Sequence, residues 1–173
     1  KKMATVASVH TCEAFFRTPE EVVATLVDDK PPNESPGQKR KRIENRRLWA
    51  SVRKSKDELT EEVRDEMKRR DPDASKQSVC VMDGERALHR RAVRYLAKAF
   101  PNLVLVLDIM HVLGYLWDAG FALCGDSRED VRLWVRDRLL AILHGNVSLV
   151  VAGIRQSATK NGLRGKKRET VDI

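Results

Sequence analysis

The chain has 173 residues, of which 42 % are hydrophobic, so it can bury a core and is not a disordered tail. Lys and Arg number 33 against 25 Asp and Glu, and the sequence pI is near 9.6, which favours a polyanionic partner over a small neutral ligand. No run approaches the roughly 18 apolar residues of a membrane span, and no apolar signal-peptide core opens the chain, so a cytoplasmic protein is expected.

The positive charge is concentrated in two segments. The first lies between Gln38 and Lys56 and contains nine basic residues and one acid, Glu44. The second lies near the end of the chain, over residues 155–168, and contains six basic residues and no acid. Because each Lys or Arg that meets a phosphate releases a bound cation, both segments favour contact with DNA or RNA, and the alternative is a solvated basic loop. The expected DNA-binding residues are Lys39, Arg40, Lys41, Arg42, Arg46, Arg47, Arg53, Lys54, Lys166, Lys167 and Arg168.

The first part of the chain predicts one strand and two helices. Residues 3–12 are rich in β-branched side chains and predict a strand whose neighbours lie outside this chain. Residues 18–28 begin with an N-cap threonine, a proline and a capping-box glutamate and predict a short helix. A proline-rich loop follows, and a second helix is expected over residues 55–70. The basic residues before this helix are expected to form a loop.

The middle of the chain predicts a βαβ unit. Two short apolar strands, 79–82 and 103–107, are joined by a helix over residues 85–99. Since both strands are apolar throughout, they are expected to be parallel and covered on both faces. Asp83 and Asp108 each follow a strand directly, so they should lie at the same edge of the sheet, where open α/β sheets place their sites.

The last part of the chain is predicted to be helical. A nearly all-apolar segment over residues 111–124 predicts a buried helix, and an amphipathic helix should follow over 128–144, with Gly145 and Asn146 as its stop. A final helix is expected over residues 147–159. The three cysteines lie far apart in apolar context and are interpreted as small buried hydrophobic residues: Cys12, Cys80 and Cys124.

The strand-end acids are the candidates for chemistry. A carboxylate that leaves a strand into a glycine, as Asp83 does, can present its oxygens to a divalent ion, and the alternative makes Asp83 the N-cap of the next helix. Asp108 has the same two interpretations. His111 is either a metal ligand beside Asp108 or a partly buried histidine bonded to it, and the structural role is favoured. No nucleophile elbow or phosphate-binding glycine loop occurs, so serine-based and dinucleotide chemistry are unsupported.

Six short motifs stand in a fixed order along almost the whole chain. They are MATVASV at 3–9, RTPE at 17–20, LWAS at 48–51, RRDP at 69–72, DGE at 83–85 and DIMHVLGYLW at 108–117. In this order they resemble the Kra-type insertion-sequence transposases, and the string that begins at Asp108 is the most specific of them.

The resemblance implies a DDE transposase that cuts and joins DNA at insertion-sequence ends with three acidic residues and two Mg²⁺ (or Mn²⁺) ions. By motif position Asp83 is the second acid of that triad. The first acid would precede Lys1 and the closing glutamate would follow Ile173, so the chain is expected to be an inactive internal fragment. The partners implied are DNA, both element ends and target, and further copies of the complete protein in a homo-oligomer.

The fold implied is α/β, a partial ribonuclease H-like core made of one N-terminal strand and the parallel βαβ unit. Residues 1–28 and 78–124 would belong to this core, 29–77 would be a basic loop and helix insertion, and 125–173 a truncated helical insertion. Two other classes stay open. A non-catalytic nucleic-acid-binding α/β module explains the basic segments without metal. A response-regulator-like or nucleotide-binding domain fits less well, because no phosphate loop follows either strand.

Overall fold

The computed structural model describes residues 4–28 and 42–172, which form a mixed α/β structure. The chain divides into two compact units. Unit 1 contains the described residues of 1–14 and 40–108, and unit 2 contains those of 15–39 and 109–173. Unit 1 holds both sheets, each of two strands within the described residues, and unit 2 is helical.

The first sheet of unit 1 is an antiparallel pair. Strand β1 (Thr5–Thr11) pairs with β2 (Glu44–Ser51), with Thr5 opposite Ser51 and an irregular register after Val9. The prediction that the neighbours of β1 lie outside the chain is therefore wrong. The first basic segment is predicted to be a loop, and this is wrong over the residues of β2. The strand was missed because a strand is recognised by alternating apolar and polar residues, and this segment is mostly basic.

The second sheet of unit 1 is the predicted parallel pair. Strands β3 (Ser78–Met82) and β4 (Leu103–Leu107) run side by side with Met82 opposite Leu107. They are joined by helix α3 (Arg86–Arg91), which continues as a π-helix over Ala92–Ala97. The expected single α-helix is thus half π-helix. The sequence predicts an α-helix because Leu88, Ala92, Leu96 and Phe100 stand four residues apart, and this spacing does not show the wider i→i+5 turn of a π-helix.

Only one face of the parallel pair is covered within the described residues. The π-helical segment contacts β4, and helix α2 (Lys56–Arg70) packs against that segment and against β1. The opposite face is exposed, with Val81 60 % accessible and Val79 and Val104 similarly open. The expected coverage of both faces is therefore wrong, since an apolar run shows that a strand is hydrophobic and not what covers it.

Unit 2 is built from five helices within the described residues. They are α1 (Pro19–Leu26), α4 (Ile109–Cys124), α5 (Arg128–Leu143), α6 (Val147–Lys160) and α7 (Gly165–Val171). The predicted helices are present, although α1 ends two residues early. Helix α7 was not predicted, and α4 is buried along one stripe only, with Tyr115 and Phe121 exposed.

The core of unit 2 forms around α5. Val131, Val135 and Leu139 lie four residues apart on one stripe of this helix and are fully buried against apolar residues of α1 and α4. Helices α4 and α5 approach closely at Gly120, where a Cβ atom would come within 2.8 Å of Val131 Cγ1. The amphipathic pattern of the sequence thus predicts the residues that hold this unit together.

Candidate functional site

The two strand-end aspartates lie at the same edge of the parallel sheet, as predicted. Met82 and Leu107 are opposite each other, and the Asp108 backbone N–H donates to the Met82 carbonyl oxygen at 2.8 Å. Asp83 and Asp108 therefore leave adjacent strands next to each other. Both are half-buried.

The chain turns sharply directly after Asp83. Gly84 has φ +89°, a left-handed conformation that side chains rarely adopt. Asp83 Oδ1 accepts a hydrogen bond from the Glu85 backbone N–H at 3.0 Å. Helix α3 begins only at Arg86, with Glu85 at its N-cap position. The alternative that Asp83 is the N-cap is therefore wrong, because the turn at Gly84 ends before the helix starts.

Two other acids of unit 1 are paired with cations of a neighbouring helix or its first residues. The Glu85 carboxylate accepts hydrogen bonds from Lys56 Nζ at 2.7 and 3.0 Å. Asp57 Oδ1 accepts from Arg91 Nε at 2.6 Å. These pairs join the start of α2 to α3, so both acids contribute to the packing of unit 1.

The described residues do not form a complete metal centre. Within residues 4–28 and 42–172 no three His, Cys, Asp or Glu side chains are grouped as a metal site requires. Asp108 ends unit 1, whereas His111 belongs to unit 2. His111 is exposed, so the expectation that it is partly buried is wrong. The edge thus offers two carboxylates, where the resemblance implies three acids.

The cysteines do not add ligands to this edge. Cys12 and Cys124 are exposed, so the prediction that they are buried is wrong. Cys80 is half-buried in β3, and burial raises the pKa of its thiol.

A cavity of about 530 Å³ lies beside Asp83 in unit 1. Its apolar part comes mainly from the end of β4, and its polar part comes from three exposed basic side chains of α3. The sequence shows these basic residues, but their place next to an apolar strand depends on the fold. The cavity is lined by Met82, Gly84, Arg86, His89, Arg90, Leu105, Val106 and Leu107.

The first basic segment is exposed where it is described. Arg42, Arg46 and Arg53 are exposed side chains on or next to β2. Arg47 and Lys54 are exposed and also form ion pairs with acids of α2, Arg47 with Glu66 at 2.7 Å. The predicted contacts Lys39, Arg40 and Lys41 lie outside the described residues.

The second basic segment divides into exposed and engaged residues. Lys166 and Lys167 are exposed on α7. Arg168 instead donates to Asp172 Oδ2 at 2.7 Å and to Thr159 Oγ1 at 2.9 Å. Arg168 therefore contributes to packing between α7 and α6, and it contributes less to any surface for a polyanion.

A buried carboxylate in α2 was missed from the sequence. The Glu66 side chain is 0 % exposed and binds three arginines, Arg47 Nη1 at 2.7 Å, Arg70 Nη2 at 2.6 Å, and Arg69. The i, i+3 and i, i+4 spacing to Arg69 and Arg70 is a signal that the sequence contains. The contact with Arg47 comes from another element and is not predictable from spacing.

Acidification should remove a stabilising contribution of Glu66. The hydrogen bond from Arg69, with those from Arg47 and Arg70, holds the pKa of Glu66 at about 2, below its ordinary value of 4.5, although burial acts in the opposite direction. Because the pKa is lowered by folding, this contribution is present above about pH 4.5 and is lost as the pH falls towards 2. Urea unfolding across this range should show a steeper loss of stability for the wild type than for Glu66→Gln. Equal pH profiles would contradict the assignment.

Comparison of the chain with protein-family models, with curated proteins and with solved structures found no match. None of the helices within residues 4–28 and 42–172 is long and apolar enough to cross a membrane. The fold is therefore described by its class, mixed α/β with one antiparallel and one parallel strand pair.

Proposed function

We propose that the chain is the middle part of a DNA transposase with a ribonuclease H-like core, and that Asp83 is one of its three metal-binding acids. The observation that carries this proposal is the position of Asp83. It leaves the first strand of a parallel pair through a left-handed glycine and lies next to Asp108 at the carboxyl edge of the sheet. This edge is where α/β sheets hold phosphate-containing substrates.

The order of elements supports the same proposal. The resemblance to Kra-type transposases implies an N-terminal strand followed by a parallel βαβ unit, and unit 1 contains β1 and the β3–α3–β4 unit in that order. The motif DGE begins at the first residue after β3, and the motif that starts at Asp108 follows β4 directly.

The charge distribution supports DNA as the substrate. Exposed basic side chains lie on and beside β2, and Arg86 and Arg90 border the cavity next to Asp83. A DNA backbone bound along these residues would be held by ion pairs and by release of counterions. Its affinity should then fall steeply with salt.

The chemistry of the proposed site needs three acids, and the described residues bring two carboxylates together at the edge of the sheet. Divalent ions, when held by three acids, stabilise the attacking and leaving oxygens in phosphoryl transfer. Within the described residues Asp83 supplies one carboxylate of that set, with Asp108 beside it. We therefore expect the 173-residue chain to bind DNA and not to cut it.

Two measurements test the proposal. Fluorescence anisotropy with a labelled DNA duplex, between about 50 and 200 mM salt, should show a steep loss of affinity for the isolated chain. In the longer transposase, Asp83→Asn should abolish strand cleavage and leave binding of the element ends nearly unchanged. Asp73→Asn, which removes the same charge from an exposed residue outside the edge, should leave both unchanged. Cleavage that survives Asp83→Asn would overturn the proposal, as would nuclease activity of the pure chain that Asp83→Asn removes.

A non-catalytic nucleic-acid-binding module is the second candidate. It is favoured by one observation: no three metal-binding side chains are grouped among residues 4–28 and 42–172. Under this alternative, DNA binding by the longer protein would be insensitive to Mg²⁺ and to Asp83→Asn, and no cleavage would be found under any condition.

A further inference from the structure

The arginines around Glu66 carry more positive charge than the buried acid can neutralise. The Glu66 side chain is 0 % exposed, and a carboxylate removed from water must be paired with a cation. One arginine would be sufficient for this, and three are present, Arg47, Arg69 and Arg70. The group therefore carries a surplus of two positive charges.

This surplus charge is accessible to a ligand. The side chains of Arg47 and Arg69 are 54 % and 67 % exposed, whereas that of Arg70 is only 18 % exposed. Arg47 and Arg69 each donate to Glu66 with one terminal nitrogen, Nη1 and Nη2 respectively. Since a guanidinium has five N–H donors, most of the donors on these two exposed side chains are not used by Glu66.

The two exposed arginines are also held in position. Both donate to the same oxygen, Glu66 Oε2, which brings their guanidinium groups together. The Arg47 guanidinium carbon lies 4.7 Å from the centre of the Trp49 ring, so it has a second support. Arginines fixed in this way lose less conformational entropy when they bind an anion than arginines on free side chains do.

We propose that Arg47 and Arg69, held by Glu66 beside the largely buried Arg70, form a phosphodiester-binding site for the DNA backbone. Planar guanidinium groups bind phosphate oxygens through paired hydrogen bonds. Arg42 and Arg46 are also exposed, beside and on the same strand as Arg47, so further positive charge is close to the site along the chain. Positive charge at several positions of one strand favours a polyanion with repeated phosphates over a single free anion. The inference rests on the proposed function and identifies one place where the DNA is bound.

Salt titrations of single variants test the contact. Arg69→Gln and Arg47→Gln should each weaken duplex binding several-fold and reduce the slope of log affinity against log salt by about one. Lys68→Gln is the matched control, since Lys68 is exposed on the same helix, carries the same charge and makes no hydrogen bond with Glu66. It should leave the slope at the wild-type value. Equal effects of Arg69→Gln and Lys68→Gln would overturn the proposal.

Glu66→Gln separates positioning from simple charge. The variant raises the net positive charge by one, so attraction by charge alone predicts tighter DNA binding. If Glu66 positions the arginines, the variant should bind DNA several-fold more weakly, and tighter binding would overturn the positioning role. Circular dichroism checks that it is folded. If it is not, the two arginine variants decide the question, because each leaves Glu66 paired with two other arginines.

A titration with inorganic phosphate distinguishes the two sources of the anion. A site for the DNA backbone should bind inorganic phosphate weakly, with duplex DNA displacing it. Strong phosphate binding that Arg69→Gln removes, together with an unchanged DNA salt slope, would assign a free-anion site and overturn the inference. If the DNA affinity falls steeply with salt but Arg69→Gln does not change it, this inference is refuted and the proposed function stands. Absence of any DNA binding refutes both.

Discussion

Replacing Leu139 with alanine should lower the free energy of unfolding by about 2–5 kcal/mol. Leu139 is 0 % exposed and lies at the centre of the unit 2 core, beside Val135 on the same stripe of α5. The substitution removes apolar contacts with α1 and α4 and leaves a cavity that rigid helices fill only in part. Urea unfolding followed by circular dichroism measures the loss.

Leu133→Ala is the control for this prediction. Leu133 lies on the same helix and is 48 % exposed, so its replacement should change stability by less than about 1 kcal/mol. Trp117 and Trp134 lie in unit 2, so tryptophan fluorescence reports on this unit, with Trp49 of unit 1 as a further contribution. Equal losses for Leu139→Ala and Leu133→Ala would contradict the assigned core.

Gly84→Val should cost about 1–3 kcal/mol of stability and disturb the position of Asp83. At φ +89° a β-branched residue is strained, and a Cβ atom would also come within 2.8 Å of Leu107 Cδ1. The end of the Leu107 side chain can move, so most of the cost comes from the backbone. Urea unfolding measures this loss of stability.

Gly153→Val is the matched control for Gly84→Val. Gly153 lies within α6, and a Cβ atom there would meet nothing within 4 Å. Because valine has a higher helix propensity than glycine, this variant should be at least as stable as the wild type. A Gly84→Val protein as stable as Gly153→Val would show that the turn after Asp83 does not need glycine.

Local patterns predicted the parts of the fold that depend on neighbouring residues. Thr18 is confirmed as the N-cap of α1, with a capping-box glutamate three residues later, and α2 begins directly after Ser55, where the second helix is predicted to open. The stripe on α5 is confirmed in the same way, with Leu139 in the core. In these cases the interacting residues lie within one or two helical turns of each other, so sequence spacing fixes the geometry.

Features that join distant segments were not predictable. Strand β2 is stabilised by β1, more than thirty residues earlier, and its own sequence is dominated by charge. The group around Glu66 brings Arg47 from β2 to a helix, a pairing that no periodicity shows. The π-helical segment Ala92–Ala97 was missed for a different reason, because the spacing of its apolar residues is four, which is the α-helical pattern and does not show the wider i→i+5 turn of a π-helix.

The sequence predicted where the candidate site lies, but it did not predict all the residues that surround it. Asp83 and Asp108 were placed at one edge by the rule that parallel strands end together, and the structure confirms this. The cavity beside Asp83 was not foreseen, because Arg86 and Arg90 reach it from a helix while its apolar part comes from β4. The functions proposed for these residues stay predictions.

The open face of the parallel sheet affects the behaviour of the protein in concentrated solution. Val79, Val81, Val104 and Val106 form an apolar strip on a molecule with a formal net charge of +8. At low ionic strength the shared charge keeps molecules apart, and salt near 0.1 M screens that repulsion beyond about 10 Å. Salts such as sulfate also strengthen apolar association. The protein concentration at which the molecules begin to associate should therefore fall as the ionic strength rises. Buffers of low ionic strength are the better choice for handling the protein.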